Sequence, residues 1–294
     1  MMNLKGQIIR QLNPDLINIL ACLKQTRGID FSHYRPRMLG RRVAARLAKL
    51  GMDDYALYLQ RLENDPAECD ELIDVIAINV SSFFRDPIVI EIMSQKILPE
   101  MIEKKSHLGV RELRVWSAGC AAGEEIYSLA ICIKEALKKS DKTWANWTNC
   151  LFGTDIDNSA LQRAAKAVYP RESLLETKLG VVDKYFEPLA ENFMLKLAIR
   201  SMVHFSQDDL TSEKTDSPAE SVFGEFDLIF CRNVLIYFNR DLQLRVLSKF
   251  LRSLVPGGYL VLGSSETLTE EIAPWFKVVD SHNKIYQKLT GKLA

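Results

Sequence analysis

The stretch Leu113-Arg114-Val115-Trp116-Ser117-Ala118-Gly119-Cys120-Ala121-Ala122-Gly123-Glu124-Glu125 decides the fold. Leu113 to Ala118 is a short apolar run of the kind that forms a buried strand. Two glycines then let the backbone turn closely, and Glu124 to Leu137 repeats apolar residues at helical spacing. Strand, tight turn and helix in that order form the opening unit of a parallel α/β sheet.

Working outward, the same alternation continues downstream. Cys150 to Thr154 reads as a strand, Ser159 to Val168 as a helix, Phe226 to Cys231 as a strand and Asp241 to Leu254 as a helix. Tyr259 to Leu262 is a strand after a Pro-Gly-Gly turn. Phe276 to Val279 and Lys284 to Gln287 are joined by a short Asp-Ser-His-Asn link that suits a hairpin, so an antiparallel C-terminal edge is expected. Val182 to Phe205 alternates apolar positions without helical spacing and is expected to form a small β insertion.

Upstream the sequence is helical. Asn13 and Pro14 start a helix that Gly28 stops, Pro36 to Leu50 forms a second closed by Gly51, and two shorter patterns cover Tyr55 to Leu62 and Ala67 to Ile78. A further helix starts at Asp86 and Pro87. The expected organisation is a helical N-terminal domain over 1–85 and an α/β domain over 86–294, the latter carrying a possible β subdomain at 182–205. The fold class is α/β with a mostly parallel Rossmann-like sheet.

At 294 residues, 47% hydrophobic and 26% charged, the chain has the composition of a soluble globular protein with room for two cores. No run of eighteen apolar residues occurs, and the start MMNLKGQIIRQLNPD lacks a long apolar segment, so a cytoplasmic protein without membrane insertion is expected. Its six cysteines contain no CxxC pair and its four histidines no ligand spacing, which predicts reduced thiols and no metal site. Net charge is zero, yet Ser32 to Gly51 holds six basic residues and no acidic one.

Ligands of open parallel sheets bind beyond the carboxyl ends of the strands. The loop at Gly119 is not a dinucleotide fingerprint, since only G-x-x-x-G is present. Two carboxylates directly after it would repel a pyrophosphate, whereas S-adenosylmethionine has no phosphate and carries an ammonium and a sulfonium. Acids at that position also stabilise a helix N-terminus without any ligand. Asp155 ends the second strand, where an acid can accept hydrogen bonds from ribose hydroxyls; a helix cap is the alternative. Gln207-Asp208-Asp209-Leu210 offers a polar edge and an apolar face for adenine, or a solvated turn. Core packing does not explain Arg232, Asn233 and Tyr237 after the strand Phe226 to Cys231.

Four segments together resemble the chemotaxis receptor glutamate methyltransferases, the CheR family. These are Asn79-Val80-Ser81-Ser82-Phe83-Phe84-Arg85-Asp86, Val115 to Ser128, Gly153-Thr154-Asp155-Ile156-Asp157 and Phe230-Cys231-Arg232-Asn233-Val234-Leu235-Ile236-Tyr237-Phe238. The helical first third also fits the family's N-terminal domain. The resemblance implies an S-adenosylmethionine site from Asn79, Ser81, Arg85, Glu125, Asp155, Asp209, Leu210, Arg232 and Asn233, beside Gly119 in the loop, with S-adenosylhomocysteine as product. Ser81 stands where threonine is usual and keeps the hydroxyl. Asp209 stands where asparagine is common and lacks its amide donor, and Cys120-Ala121-Ala122 departs from the commoner small polar residues.

The implied reaction is transfer of a methyl group to glutamate side chains of methyl-accepting chemotaxis receptors, for sensory adaptation. Glutamate is ionised at neutral pH, so no general base is needed, and positioning and water exclusion are what the protein must supply. Arg85 is the first candidate to contact a carboxylate, through its planar guanidinium, the alternative being an ion pair with Asp86. Tyr237 is the second, its hydroxyl holding the substrate carboxylate, the alternative being a packing tyrosine.

On the helix from Pro36, Leu39, Val43, Leu47 and Leu50 share one face. Arg42, Arg46 and Lys49 fall along one flank, with Arg37 and Arg41 on the far side. These five are the expected docking residues for the glutamate-bearing cytoplasmic helices of a receptor; an ordinary solvated face is the alternative. Neutral net charge without interleaved aromatics argues against nucleic acid. The protein is expected to act as a monomer. The same fold with another substrate, or a cofactor-binding adaptor without turnover, are the rival readings.

Overall fold

The computed structural model describes residues 13–77, 81–140, 147–212, 217–218, 221 and 225–291. These divide into two compact units, one within Met1–Asn79 with Leu235–Arg245, the other within Val80–Val234 and Val246–Ala294.

The first unit holds α1 (Pro14–Arg27), α2 (Pro36–Lys49), α3 (Tyr55–Asn64) and α4 (Pro66–Ala77). Local chemistry sets their ends. Asn13 accepts the Asp15 N–H, Pro14 occupies the first turn, and Gly28 adopts φ 75° while its N–H closes on the Lys24 carbonyl. Asp54 likewise caps α3 through the N–H groups of Ala56 and Leu57. The segment Leu235–Arg245 belongs with these helices rather than with the sheet that precedes it. Arg35 N–H donates to the Tyr237 carbonyl at 2.8 Å, and the Tyr34 ring stands edge-on to Phe238 at 5.0 Å.

The buried face of α2 departs from expectation. It comprises Met38, Leu39, Val43, Arg46 and Leu47, so the helix is turned toward Met38 and Arg46 and away from Leu50. Arg46 is therefore not a docking residue on an exposed flank. Its guanidinium makes a two-pronged pair with Glu68, at 2.8 and 2.7 Å, and the Tyr58 hydroxyl donates to the same carboxylate at 2.8 Å. Burial acts to raise the Glu68 pKa, but the bonds from Arg46 and Tyr58 outweigh it and hold the carboxyl below its ordinary range.

The second unit begins with α5 (Pro87–Ile92), which passes through one wide π-turn (Met93–Ile97) into α6 (Leu98–His107). There follow β1 (Glu112–Ala118), α7 (Glu124–Ser140), β2 (Thr148–Asp155), α8 (Asn158–Lys166), β3 (Val168–Pro170), α9 (Leu179–Tyr185), β4 (Phe186–Leu189), β5 (Asn192–Leu195), α10 (Leu197–Arg200), β6 (Val203–Gln207), β7 (Phe226–Cys231), α11 (Arg240–Ser253), β8 (Leu254–Leu262), β9 (Phe276–Asp280) and β10 (Ile285–Lys288).

Seven strands form the main sheet in the order β6-β2-β1-β7-β8-β10-β9. All neighbours from β6 to β8 are parallel, and β10 is antiparallel to both β8 and β9. The C-terminal hairpin is as expected, although β9 is the edge and the last strand, β10, lies inside it. Parallel strands buried on both faces need continuous apolar sequence, and β7 is buried at every position. The Pro-Gly-Gly stretch is a bulge within β8, where Gly257 takes φ 82° and the register against β7 shifts.

The small β insertion lies only partly within 182–205. A three-stranded antiparallel sheet, β3-β5-β4, draws on Val168–Pro170, Phe186–Leu189 and Asn192–Leu195. Leu179–Tyr185 is helical, and Val203–Gln207 is a strand of the main sheet. The fully buried Phe83 ring meets Tyr169 and Phe186 edge-on at 4.7 and 5.0 Å, which ties this sheet to the Ser81–Asp86 segment.

Removing Arg46 leaves the buried Glu68 carboxylate with only the longer 3.7 Å pair to the exposed Arg61. Arg46→Ala should therefore cost about 3 kcal/mol of stability in urea unfolding. A loss below about 1 kcal/mol would mean that the pair is no more than a surface contact.

Candidate active site

The chain leaves β1 to one side, toward β2 and β6, and later returns on the other side as β7. The crevice beyond the carboxyl ends of β1, β2 and β7 is thus the place where a ligand can be gripped from several loops.

The Gly119–Gly123 loop is held by hydrogen bonds within the protein. The N–H groups of Gly119 and Cys120 both donate to the Thr154 carbonyl, at 2.8 and 2.9 Å, and the Tyr169 hydroxyl donates to the Ala122 carbonyl at 2.7 Å. Gly119, Ala121 and Gly123 have φ of 79°, 48° and 90°. A Cβ on Gly119 would stand 2.4 Å from Val234 Cγ2, so glycine is required there for space as well as conformation.

Asp155 completes the loop. Its two carboxylate oxygens accept the N–H of Ala121 at 2.8 Å and of Asp157 at 3.0 Å. The helix-cap alternative fails, because Asp157 caps α8 by accepting from Ser159 N–H. Asp155 is 8% exposed, and burial raises its pKa despite those bonds. Each oxygen retains a lone pair for a ligand hydroxyl.

Glu125 accepts from the Ser117 hydroxyl at 2.8 Å and faces Arg232 Nη1 at 3.4 Å. Burial is the largest influence on it, outweighing Arg232, Ser117 and Arg85, so its pKa is raised. Glu124 beside it is also raised by burial, and its Oε2 has no hydrogen-bond partner among the described residues.

Arg232 links three segments. Its guanidinium pairs with Asp86, reaches Glu125, and donates to the Arg85 carbonyl at 3.3 Å, with its side chain only 2% exposed. Asp86 is thus the partner of Arg232, and Arg85 stands half-buried with a coulombic influence on Glu125. Phe84 N–H donates to the Ser128 hydroxyl at 2.9 Å, which in turn donates to the Glu124 carbonyl. Phe84, Asp86 and Asn233 all have φ near 60°, a conformation that costs side-chain-bearing residues about 1 kcal/mol or more each.

One organiser was not foreseen from sequence. Glu266, 4% exposed, accepts three backbone N–H groups, those of Asn233, Val234 and Gly263, at 3.1, 2.9 and 2.6 Å. It thereby holds Asn233 in its left-handed conformation and sets Val234 against Gly119. Its only sequence signal is an acid shortly after a strand end.

Of the remaining expected residues, Ser81 is half-buried and Leu210 buried. Asp209 uses one oxygen to accept the Thr211 N–H at 2.8 Å. Asp208 N–H donates to the Asp155 carbonyl, which brings the Gln207–Leu210 turn alongside Asp155. Asn79 lies outside the described residues. Tyr237 belongs to the helical unit. On α2, Arg37, Arg41 and Lys49 are exposed and Arg42 is half-buried. Among the described residues no group of three or more His, Cys, Asp or Glu is placed to hold a metal ion, and no helix is long and apolar enough to cross a membrane.

The donor set fits S-adenosylmethionine. Two buried carboxylates held at raised pKa favour a ligand that brings positive charge.

Comparison with known proteins gives the same picture. The CheR methyltransferase SAM binding domain matches residues 79–285, and the CheR methyltransferase all-alpha domain matches residues 14–77. A chemotaxis protein methyltransferase of Borreliella burgdorferi is 31% identical over 257 residues, covering 86% of this chain and 88% of the relative. A protein of the same name from Salmonella typhimurium is 31% identical over 257 residues, covering 85% and 83%. A 104.1 kDa protein of Rhodobacter capsulatus is 30% identical over 271 residues, which cover 92% of this chain and 27% of that longer one.

The raised carboxyl pKa values carry a signed consequence. A cationic ligand favours ionised Glu125 and Asp155, whereas the free protein tends to protonate them. Affinity for S-adenosylhomocysteine should fall on acidification, approaching tenfold per pH unit for each proton taken up, in calorimetry between about pH 8 and 5. The fall should begin above the ordinary carboxylate range and shrink in Glu125→Gln. Affinity that is flat or rises as pH drops would contradict the assignment.

Proposed function

The chain belongs to the CheR methyltransferase family, and on that basis we propose that it methylates glutamate side chains of methyl-accepting chemotaxis receptors from the cytoplasm, as a monomer. It is a chemotaxis methyltransferase that uses S-adenosylmethionine. The glutamate acceptor and the receptor are what the proposal adds, and the single observation that carries it is the Arg232 junction among Asp86, Arg85 and Glu125.

When bound, S-adenosylmethionine supplies a methyl group made electrophilic by its sulfonium. Glu125 would meet the cofactor's ammonium, and Asp155 the ribose hydroxyls. Leu210 and the turn before it would flank the adenine, with Ser81, Asn79 and Asn233 completing the polar wall. Arg232 holds Glu125 in place and limits the negative charge of the crevice. A glutamate acceptor is already ionised at neutral pH, so the protein's task is to orient it and strip its water, a contribution that reaches about 7 kcal/mol in well-aligned reactions. Arg85 is the residue assigned to the carboxylate, by its guanidinium geometry and its position beside Glu125. Tyr237 is assigned to hold the acceptor.

The exposed Arg37, Arg41 and Lys49, with the half-buried Arg42, are the proposed docking residues for acidic receptor helices. Arg46 is excluded by its burial. A cationic row of this kind suits glutamates presented on a helix surface and acts chiefly on association rate.

Incubation with methyl-labelled cofactor and a receptor cytoplasmic fragment should give base-labile methyl esters. Arg85→Ala and Tyr237→Phe should each lower kcat at least about tenfold while changing S-adenosylhomocysteine affinity less than about threefold. Unchanged turnover at saturating cofactor would remove the variant residue from the mechanism, and label that resists base would remove the glutamate acceptor.

A further inference from the structure

Beyond the cofactor crevice, the second unit contains a cavity of about 350 Å³ lined by Asp86, Ile88, Arg232, Ser264, His282 and Lys284 among others. It lies toward the carboxyl ends of β7 and β8, the end of the sheet where the crevice also lies. The turn that carries His282 and Lys284 precedes β10, whose first residue, Ile285, pairs with Val261 near the carboxyl end of β8. Arg232 lines the cavity and also reaches Glu125, so the two spaces meet at one guanidinium.

From this arrangement we infer that the cavity is the acceptor pocket, which seats an acidic segment of the protein substrate, with Lys284 as the residue that selects its carboxylates. The inference rests on the reading of the chain as a protein-glutamate methyltransferase and adds the place where substrate binds.

Charge is the first support. The lining carries Asp86, Arg232, Lys284 and His282, and Arg232 is already paired with both Asp86 and Glu125. Asp86 is engaged by Arg232, and among the described residues Lys284 has no ion-pair partner. Lys284 is therefore the uncompensated charge of the lining, which fits an anionic side chain.

Unmet hydrogen bonding is the second. Arg232 has a side chain only 2% exposed, and its Nε has no acceptor among the described residues. A buried guanidinium N–H without a partner is costly, and a carboxylate entering the cavity can supply the acceptor.

Rigidity is the third. Asn283 donates its backbone N–H at 2.8 Å and its side-chain amide at 3.1 Å to the Asp280 carboxylate, and the Lys284 carbonyl accepts the Leu262 N–H at 3.1 Å. Lys284 itself is held at φ 55°. The held turn fixes where the Lys284 side chain leaves the backbone at the cavity wall, and the 63% exposed Ile88 adds an apolar surface for the stem of the incoming side chain.

Lys284→Glu reverses the charge, and Lys284→Asn removes it with a residue that tolerates the left-handed turn. Each is compared with the wild-type protein on a receptor cytoplasmic fragment, measuring KM for the fragment, kcat and S-adenosylhomocysteine affinity. The expected result is a KM raised at least about tenfold in Lys284→Glu and less in Lys284→Asn, with cofactor affinity within about twofold. KM within about twofold of wild type in both variants, or cofactor affinity falling in step with KM, overturns the inference while leaving the methyltransferase reading intact. Absence of methyl esters with the wild-type protein removes that reading, and the acceptor pocket with it.

Discussion

The guanidinium of Arg232 is the constraint on which the site depends. It emerges from the end of β7 almost fully buried, and a charge in that position must be neutralised locally. Asp86 and Glu125 neutralise it from two separate loops, and the Arg85 carbonyl adds an acceptor. One cation therefore fixes the relation of the Ser81–Asp86 segment, the N-terminus of α7 and the end of β7. The left-handed conformations at Phe84, Asp86 and Asn233 mark how tightly those loops are specified.

The electrostatic balance that results is uneven. Arg232 satisfies only part of the negative charge, and burial keeps Glu124, Glu125 and Asp155 at raised pKa. Such a crevice is short of positive charge when ionised, which is the condition a sulfonium and an ammonium relieve. Backbone bonds from Gly119 and Cys120 to Thr154, and from Asn233, Val234 and Gly263 to Glu266, set the loops in advance. A cofactor entering this crevice would meet loops held by the protein's own hydrogen bonds.

Much of this was legible in the sequence because it rests on local signals. Asn13, Pro14 and Gly28 marked α1 correctly, and the strand, glycine turn and helix at Leu113 to Leu137 announced the parallel sheet. What sequence missed depended on tertiary contact. Helical spacing put Arg46 on an open flank, but Glu68 and Tyr58 on other helices turn that flank inward. Alternating apolar residues in Val182 to Phe205 suggested one insertion, whereas the small sheet recruits Val168–Pro170 from before it and yields Val203–Gln207 to the main sheet. Glu266 carried no reading and Asp86 only that of a helix start or a partner of Arg85, since nothing in their neighbours announces that one will hold three backbone N–H groups and the other a buried arginine. The grouping of Leu235–Arg245 with the helical unit was equally invisible, because nothing in that stretch, whose end was read as the start of a helix at Asp241, names the elements it packs against.

A crystal structure with S-adenosylhomocysteine bound tests the central claim most directly. The account predicts the ligand's ammonium within hydrogen-bond distance of Glu125, with Arg232 still bridging Asp86 and Glu125, and the ribose hydroxyls on Asp155. A ligand whose ammonium lies away from Glu125, or whose binding breaks the Arg232 junction, would contradict it.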